Sequence, residues 1–292
     1  MIRIDFNRPG GWTAGDMERA LREALSPRYG SGEAGAMTRL IFYHLKGWTN
    51  TAMIVNSDKM LSDYILHKLK DILEHLLKGE PLQYVLGEAR FYGMDLLVNR
   101  SVLIPRHETE ELVDMIVADN QRRDLRVLDV GTGSGAIAIA LSRNLPFSEV
   151  TALDVSEKSL EVARENARRL HANIRFLHED VFRYVPQKDA FDIVVSNPPY
   201  VTESEKAGMD SNVLDYEPEI ALFVPDDNPL LYYSRIADVA ADALTAGGRI
   251  YFEINPLFAA AVRELLERAG FSDVNLSKDI SGRLRFAQAI KK

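Results

Sequence analysis

The sequence predicts an α/β protein, a mostly parallel sheet with helices on both faces, preceded by a small helical bundle and a β-hairpin. Three observations carry this. From residue 126 onward, short β-rich runs alternate with helical ones, which implies parallel strands joined by helical crossovers. The first of those runs leads into Gly131-Thr132-Gly133-Ser134-Gly135 and then an apolar helical stretch. Residues 1–80, by contrast, show helical periodicity and no strand-like run.

Composition narrows the class. A chain of 292 residues corresponds to about two domains of roughly 150 residues. With 46% hydrophobic and 27% charged residues, disordered and fibrous classes are excluded. No run approaches the roughly 18 apolar residues of a membrane helix, and the amino-terminal residues lack the apolar core of a secretory signal. The absence of cysteine excludes disulfides, thiolate metal sites and cysteine nucleophiles. A cytoplasmic protein is expected. The net charge of −8 is unevenly spread: residues 1–80 hold 11 Lys/Arg against 10 Asp/Glu, and residues 81–292 hold 24 against 33. An acidic main domain argues against a grip on nucleic-acid phosphates.

Taken in order, residues 15–26 and 33–46 have helical patterns, split by the turn-rich Ser26–Gly32. A third helix is expected over 57–78, capped by Ser57, with Leu61, Ile65, Leu69, Ile72, Leu73, Leu76 and Leu77 as its apolar stripe and Gly79-Glu80-Pro81 as its stop. Residues 1–80 therefore read as a helical domain. Residues 81–105 look extended, with strands at Ala89–Tyr92 and Asp95–Val98 around Gly93, and form a hairpin linker. A helix over Glu108–Asp119 opens the main domain, residues 106–292. Its strands are expected at Arg126–Val130, Glu149–Asp154, Ile174–His178, Phe191–Ser196 and Arg249–Ile254. Helices are expected at Ala136–Arg143, Glu157–Leu170, Leu230–Leu244 and Phe258–Arg268. Ligands of such sheets sit beyond the carboxyl ends of the strands.

The candidate chemistry falls at those ends. The glycines of 131–135 let a ligand lie on bare backbone, against the free N–H groups of the following helix. Asp154 ends the second strand, where a carboxylate can accept both hydroxyls of a ribose. The pattern Gly131-x-Gly133-x-x-Ala136 also satisfies the dinucleotide fingerprint, so the loop leaves nicotinamide and S-adenosylmethionine (AdoMet) cofactors both open. Asp180-Val181-Phe182 follows the third strand and suits a flat base with an exocyclic amine, or plain core packing.

Asn197-Pro198-Pro199-Tyr200 decides between reactions. Two prolines remove two donors and stiffen the chain, leaving rigid carbonyl acceptors beside the Asn197 carboxamide. Such acceptors suit an NH₂ group on a flat π-system, a base amine or a carboxamide, and Tyr200 can pack on that plane. Fixed acceptors on the N–H groups direct the nitrogen lone pair to an electrophile and favour the charge that develops. Hydride transfer has no use for the motif.

These residues give the chain its resemblance. It is similar to the PrmC/HemK family of protein-(glutamine-N5) methyltransferases, through Gly79–Tyr84, Phe91-Tyr92-Gly93, Leu103–Arg106, Gly131–Gly135, Asn197–Tyr200 and Tyr216-Glu217-Pro218. The resemblance implies a Rossmann-like class I AdoMet-dependent methyltransferase domain with an N-terminal helical substrate-recognition domain. It implies methylation, without a metal, of the glutamine in the Gly-Gly-Gln motif of class 1 peptide chain release factors. A ribosomal-protein glutamine and a nucleic-acid base amine are the alternative acceptors. Gly131, Thr132, Gly133, Ser134, Gly135, Asp154, Asp180, Val181 and Asn197 would bind AdoMet. Asn197, Pro198, Pro199 and Tyr200 would bind the acceptor, with Asn197, Pro198 and Tyr200 catalytic. No membrane and no direct nucleic-acid substrate are implied. The chain departs from the family at His107, where proline is usual, and at Asn255, where glycine is common; both bear on linker and rim geometry. The six histidines suggest no metal site; Asp129 either orders the cofactor end through water or backbone or braces the loop, and Arg106 and Glu217 read as ion-pair residues bracing the site.

Overall fold

The computed structural model describes residues 4–292, and they fall into two compact units, one within Met1–Gly87 and the other Glu88–Lys292. The first is helical: α1 (Ala14–Lys46), α2 (Asn50–Val55), α3 (Asp63–Lys78) and α4 (Leu82–Leu86). Its core gathers Met17, Leu21, Ile41, Phe42, Leu69 and Leu76. The turn-rich segment is a kink rather than a loop, because only Gly30, at φ 79° and ψ 158°, leaves the helical region.

The third helix starts six residues later than its periodicity suggests, at Asp63. Ser57–Leu61 are engaged elsewhere: Ala14 and Gly15 donate to the carbonyls of Lys59 and Ser57, and Leu61 donates to that of Trp12. Leu61 is buried as expected, but in an extended pairing. Gly79 ends α3 at φ 94°, the left-handed cap glycine tolerates best. Residues 82–86, expected to be extended, close one helical turn on Pro81 and bury Leu82.

The second unit opens with the hairpin β1 (Glu88–Phe91) and β2 (Met94–Leu97). Then follow α5 (His107–Asp119), β3 (Arg126–Val130), α6 (Ala136–Asn144), β4 (Glu149–Asp154), α7 (Glu157–Arg169), β5 (Ile174–His178) and β6 (Phe191–Ser196). An excursion carries β7 (Val201–Thr202), α8 (Ser211–Tyr216) and β8 (Phe223–Val224). The chain ends with α9 (Leu231–Ala243), β9 (Leu244–Glu253), α10 (Ala259–Arg268), β10 (Phe271–Lys278) and β11 (Leu284–Lys291). The seven-stranded sheet runs β10-β11-β9-β6-β3-β4-β5. β3, β4, β5, β6 and β9 are parallel, and β10 and β11 close one edge antiparallel. Apolar residues pack on both faces, one cluster including residues of α9 and α10 and the other residues of α5 and α6.

Topology places the site. From β3 the chain winds outward through β4 and β5, then returns to place β6 on the other flank of β3. Ligands bind at such a reversal, beyond the carboxyl ends of the strands. Val130 pairs with Ser196 across it, and the Ser196 hydroxyl donates to the Val130 carbonyl at 2.7 Å. Gly131 and Asn197 therefore leave adjacent strands side by side.

Candidate active site

A cavity of about 320 Å³ occupies this crevice, within the usual range for small-molecule sites. Its walls bring together Gly131, Thr132, Gly133, Ser134, Asp154, Asp180, Val181, Asn197, Pro198 and Pro199. Gly135 lies just behind, at φ 83°, where an added Cβ would stand 3.2 Å from Ala163 Cβ and Ile139 Cδ1. It is required for packing of the turn. Gly131 and Gly133 also have positive φ, and a Cβ on either would enter open space. The backbone there is bare towards a ligand.

Asp154 holds the loop. Its Oδ2 accepts the Gly133 amide and its Oδ1 the Ser156 amide, both at 2.9 Å, leaving lone pairs for a diol. Burial raises its pKa, and the two amide donors oppose that. Beneath the loop, Asp129 is fully buried. Its Oδ2 accepts the Thr132 hydroxyl at 2.7 Å, and its Oδ1 has no hydrogen-bond partner. Burial pushes its pKa up to about 7, with the nearby Asp154 charge acting in the same direction.

The opposite wall carries Phe182 and Tyr232, whose ring centroids lie 5.4 Å apart. Arg235 fixes that loop by donating to the carbonyls of Val181 and Tyr184 at 2.8 and 2.7 Å. Tyr232 and Arg235 gave no sequence signal, since both sit in an ordinary amphipathic helix. Asp180 turns one oxygen to the Phe182 amide at 2.9 Å. A flat apolar slot beside carboxylates and bare backbone has the chemistry of an adenosine site.

Over the mouth, two remote segments meet. Ser101–Arg106 and Ile220-Ala221 both line the cavity. Arg106 donates to Glu217 Oε1 at 2.7 Å, and the Ile104 amide donates to Oε2 at 3.2 Å. The family-like segments around Arg106 and Glu217 are thus one clasp.

The Asn197 carboxamide donates to the Thr109 hydroxyl at 3.3 Å. Thr109 donates to Glu253 Oε2 at 2.6 Å, and Tyr200 donates to Glu253 Oε1 at 3.0 Å. Tyr200 differs from expectation. It does not line the cavity, because its hydroxyl is drawn to the buried Glu253 and its ring packs on the core. Burial, and then the Glu253 charge, push its phenol well above the ordinary value. Thr109 and Glu253 were missed: neither belongs to a loop motif, and only the fold brings them beside Asn197.

Both departures from the family pattern have local explanations. His107 is the first residue of α5, where proline is favoured but its missing N–H is not essential. Asn255 donates to the Tyr200 carbonyl at 3.1 Å and to Glu205 Oε2 at 3.0 Å, tying the rim together. Among the described residues, no group of three His, Asp or Glu side chains is placed to hold a metal ion.

Known proteins match this architecture. The family model described as methyltransferase small domain matches residues 108–214, and the one described as PrmC N-terminal domain matches residues 17–87. A Thermus thermophilus 16S rRNA methyltransferase, solved with AdoMet and guanosine, superposes with a TM-score of 0.51 at 21% identity. That match covers 70% of this chain and 50% of the other, and it shows the Rossmann-like methyltransferase fold. The release factor glutamine methyltransferase of Streptococcus pneumoniae is 46% identical over 68% of this chain and 71% of its own. That of Bacteroides thetaiotaomicron is 44% identical over 270 residues, 92% of this chain and 97% of its own. Identity at that level, over nearly the whole of both chains, means that the chain belongs to the release factor glutamine methyltransferase family.

Proposed function

We propose that the protein transfers a methyl group from AdoMet to the side-chain amide nitrogen of the glutamine in the Gly-Gly-Gln motif of class 1 peptide chain release factors. The observation that carries this is one cavity lined both by a glycine loop with its ribose-type carboxylate and by the Asn197-Pro198-Pro199 acceptors, in a chain 44% identical to a release factor glutamine methyltransferase over nearly its full length.

The residues fit AdoMet: bare backbone at Gly131 and Gly133, the Asp154 carboxylate, and the Val181–Phe182 slot beside Asp180. When bound, AdoMet supplies an electrophilic methyl group on a sulfonium. Thr132, Ser134 and Gly135 shape the loop that receives its methionine end. The Asn197 side-chain oxygen and the Pro198 carbonyl accept the two N–H groups of the acceptor carboxamide. That holds the nitrogen lone pair towards the methyl group and stabilises positive charge developing on nitrogen. Pro199 keeps this wall rigid, Tyr200 supports it from behind, and the proton on the methylated nitrogen leaves to solvent. The helical unit serves recognition of the release factor. The same reading places the enzyme in the cytoplasm with its acceptor; among the described residues, no helix is long and apolar enough to cross a membrane.

The test is methyl transfer from labelled AdoMet to a purified class 1 release factor, beside a factor whose Gly-Gly-Gln glutamine is replaced. Label on the unaltered factor alone is expected. Label on neither, with AdoMet still bound, would move the acceptor to a ribosomal protein or a nucleic-acid amine.

A further inference from the structure

A carboxamide side chain has one accepting and one donating end of nearly equal size. If Asn197 presented its NH₂ to the acceptor, two donors would face each other and the substrate would be repelled. The Asn197 motif itself does not decide between the two orientations.

We propose that Thr109, held by the buried Glu253 carboxylate, is the positioning residue that turns the Asn197 oxygen towards the acceptor glutamine. The proposal rests on the reading of Asn197 given above. Its basis is a proton count along one chain of hydrogen bonds. A threonine hydroxyl has a single proton. In Thr109 that proton is engaged by Glu253 Oε2 at 2.6 Å, leaving only lone pairs to face Asn197 at 3.3 Å. An oxygen that can only accept selects the NH₂ end of the carboxamide.

Glu253 enforces the direction. It is 1% exposed, and its second oxygen receives the Tyr200 hydroxyl at 3.0 Å. Both oxygens thus accept a hydroxyl proton, as in a carboxylate; burial raises the Glu253 pKa, and the Thr109 and Tyr200 hydroxyls, with the Arg285 charge, oppose that. Thr109 and Tyr200 satisfy a charge that would otherwise be costly to bury. The arrangement joins α5, β9 and the loop after β6, so the orientation of one amide is set by three elements.

The test uses the full-length protein with labelled AdoMet and a purified class 1 release factor. Thr109→Val keeps shape and removes both hydrogen bonds; Thr109→Ser keeps the hydroxyl. The valine variant is expected to lose about tenfold or more in kcat, less than the ~10²-fold for losing a direct transition-state hydrogen bond. Its AdoMet Kd, measured by calorimetry, should stay within about twofold, and serine should restore kcat to within about threefold. In an Asn197→Ala background, Thr109→Val should change kcat by less than about twofold, because its effect passes through Asn197. If the valine variant does not fold, Thr109→Ala takes its place in the same cycle. The proposal is overturned if the valine variant keeps kcat within threefold while Asn197→Ala does not, or if the two losses multiply. Near-normal kcat in Asn197→Ala alone would instead overturn the reading of Asn197, and this proposal with it.

Discussion

Asn197, in the cavity wall, and Asp129, buried beneath the glycine loop, illustrate what a single residue contributes. Asn197 is expected to matter for turnover more than for binding. Asn197→Ala should lower kcat by about 10²-fold or more and change AdoMet affinity little, which steady-state kinetics beside a binding titration will read. Loss within severalfold would remove Asn197 from the chemistry. Asp129 affects stability. Its carboxyl remains protonated in the fold up to about pH 7, whereas the ordinary value is 3.8. The unfolded chain therefore releases this proton first, and the stability due to Asp129 declines as pH rises through that window. At about 1.4 kcal/mol per pH unit, the decline is worth a few kcal/mol at most. In the cofactor-free protein, Asp129→Asn should flatten the fall in melting temperature between about pH 4 and 7. Parallel melting curves for the two proteins would refute it.

Among the elements, the clasp between the Ser101–Arg106 segment and the excursion after β7 has the clearest consequence. The Glu217 side chain is 1% exposed and that of Arg106 34%. Removing one partner of a fully buried pair costs about 3–5 kcal/mol. Here water reaches Arg106 and the Ile104 amide still holds Glu217, so Arg106→Ala should cost about 1–3 kcal/mol in urea unfolding. Both joined segments line the cavity, so AdoMet affinity should fall along with stability, and Arg106→Lys should recover only part, since an ammonium lacks the planar guanidinium that donates to Glu217 here. Unchanged affinity in a destabilised Arg106→Ala protein would show the clasp to be structural only. The strands of this unit illustrate a different kind of legibility. Four of them, from Arg126–Val130 to Phe191–Ser196, start and end where their β-rich runs do, because buried parallel strands are short continuous apolar runs bounded by turns. The fifth starts five residues earlier than its run suggests, at Leu244.

On the scale of the whole molecule, each unit closes its own core. The helical unit packs residues from Trp12 to Leu82, and both clusters of the sheet unit lie between Phe91 and Ala289. The cavity is lined entirely from the second unit. Residues 88–292 alone should therefore fold and bind AdoMet, and the recognition role proposed for the helical unit predicts that methylation of a release factor then falls by about tenfold or more. Calorimetry and label transfer on the shortened chain check the two halves separately. Full activity without residues 1–87 would leave the helical unit with another role.

The sequence by itself determined the class of fold, the alternation of parallel strands with helices, and the places of the glycine loop, Asp154 and the Asn197-Pro198-Pro199 segment. Each of these is written in contiguous residues whose backbone restrictions act locally: glycines at positive φ, prolines without donors, strands bounded by turns. Tertiary structure decided the rest. It moved the start of α3 to Asp63, because Ser57–Leu61 pair with the start of α1. It paired Arg106 with Glu217 across 111 positions and Thr109 with Glu253 across 144, and it drew Tyr200 away from the cavity to Glu253. Such partners leave no periodic or motif signal, because a buried charge is satisfied by whatever donors the fold delivers to it.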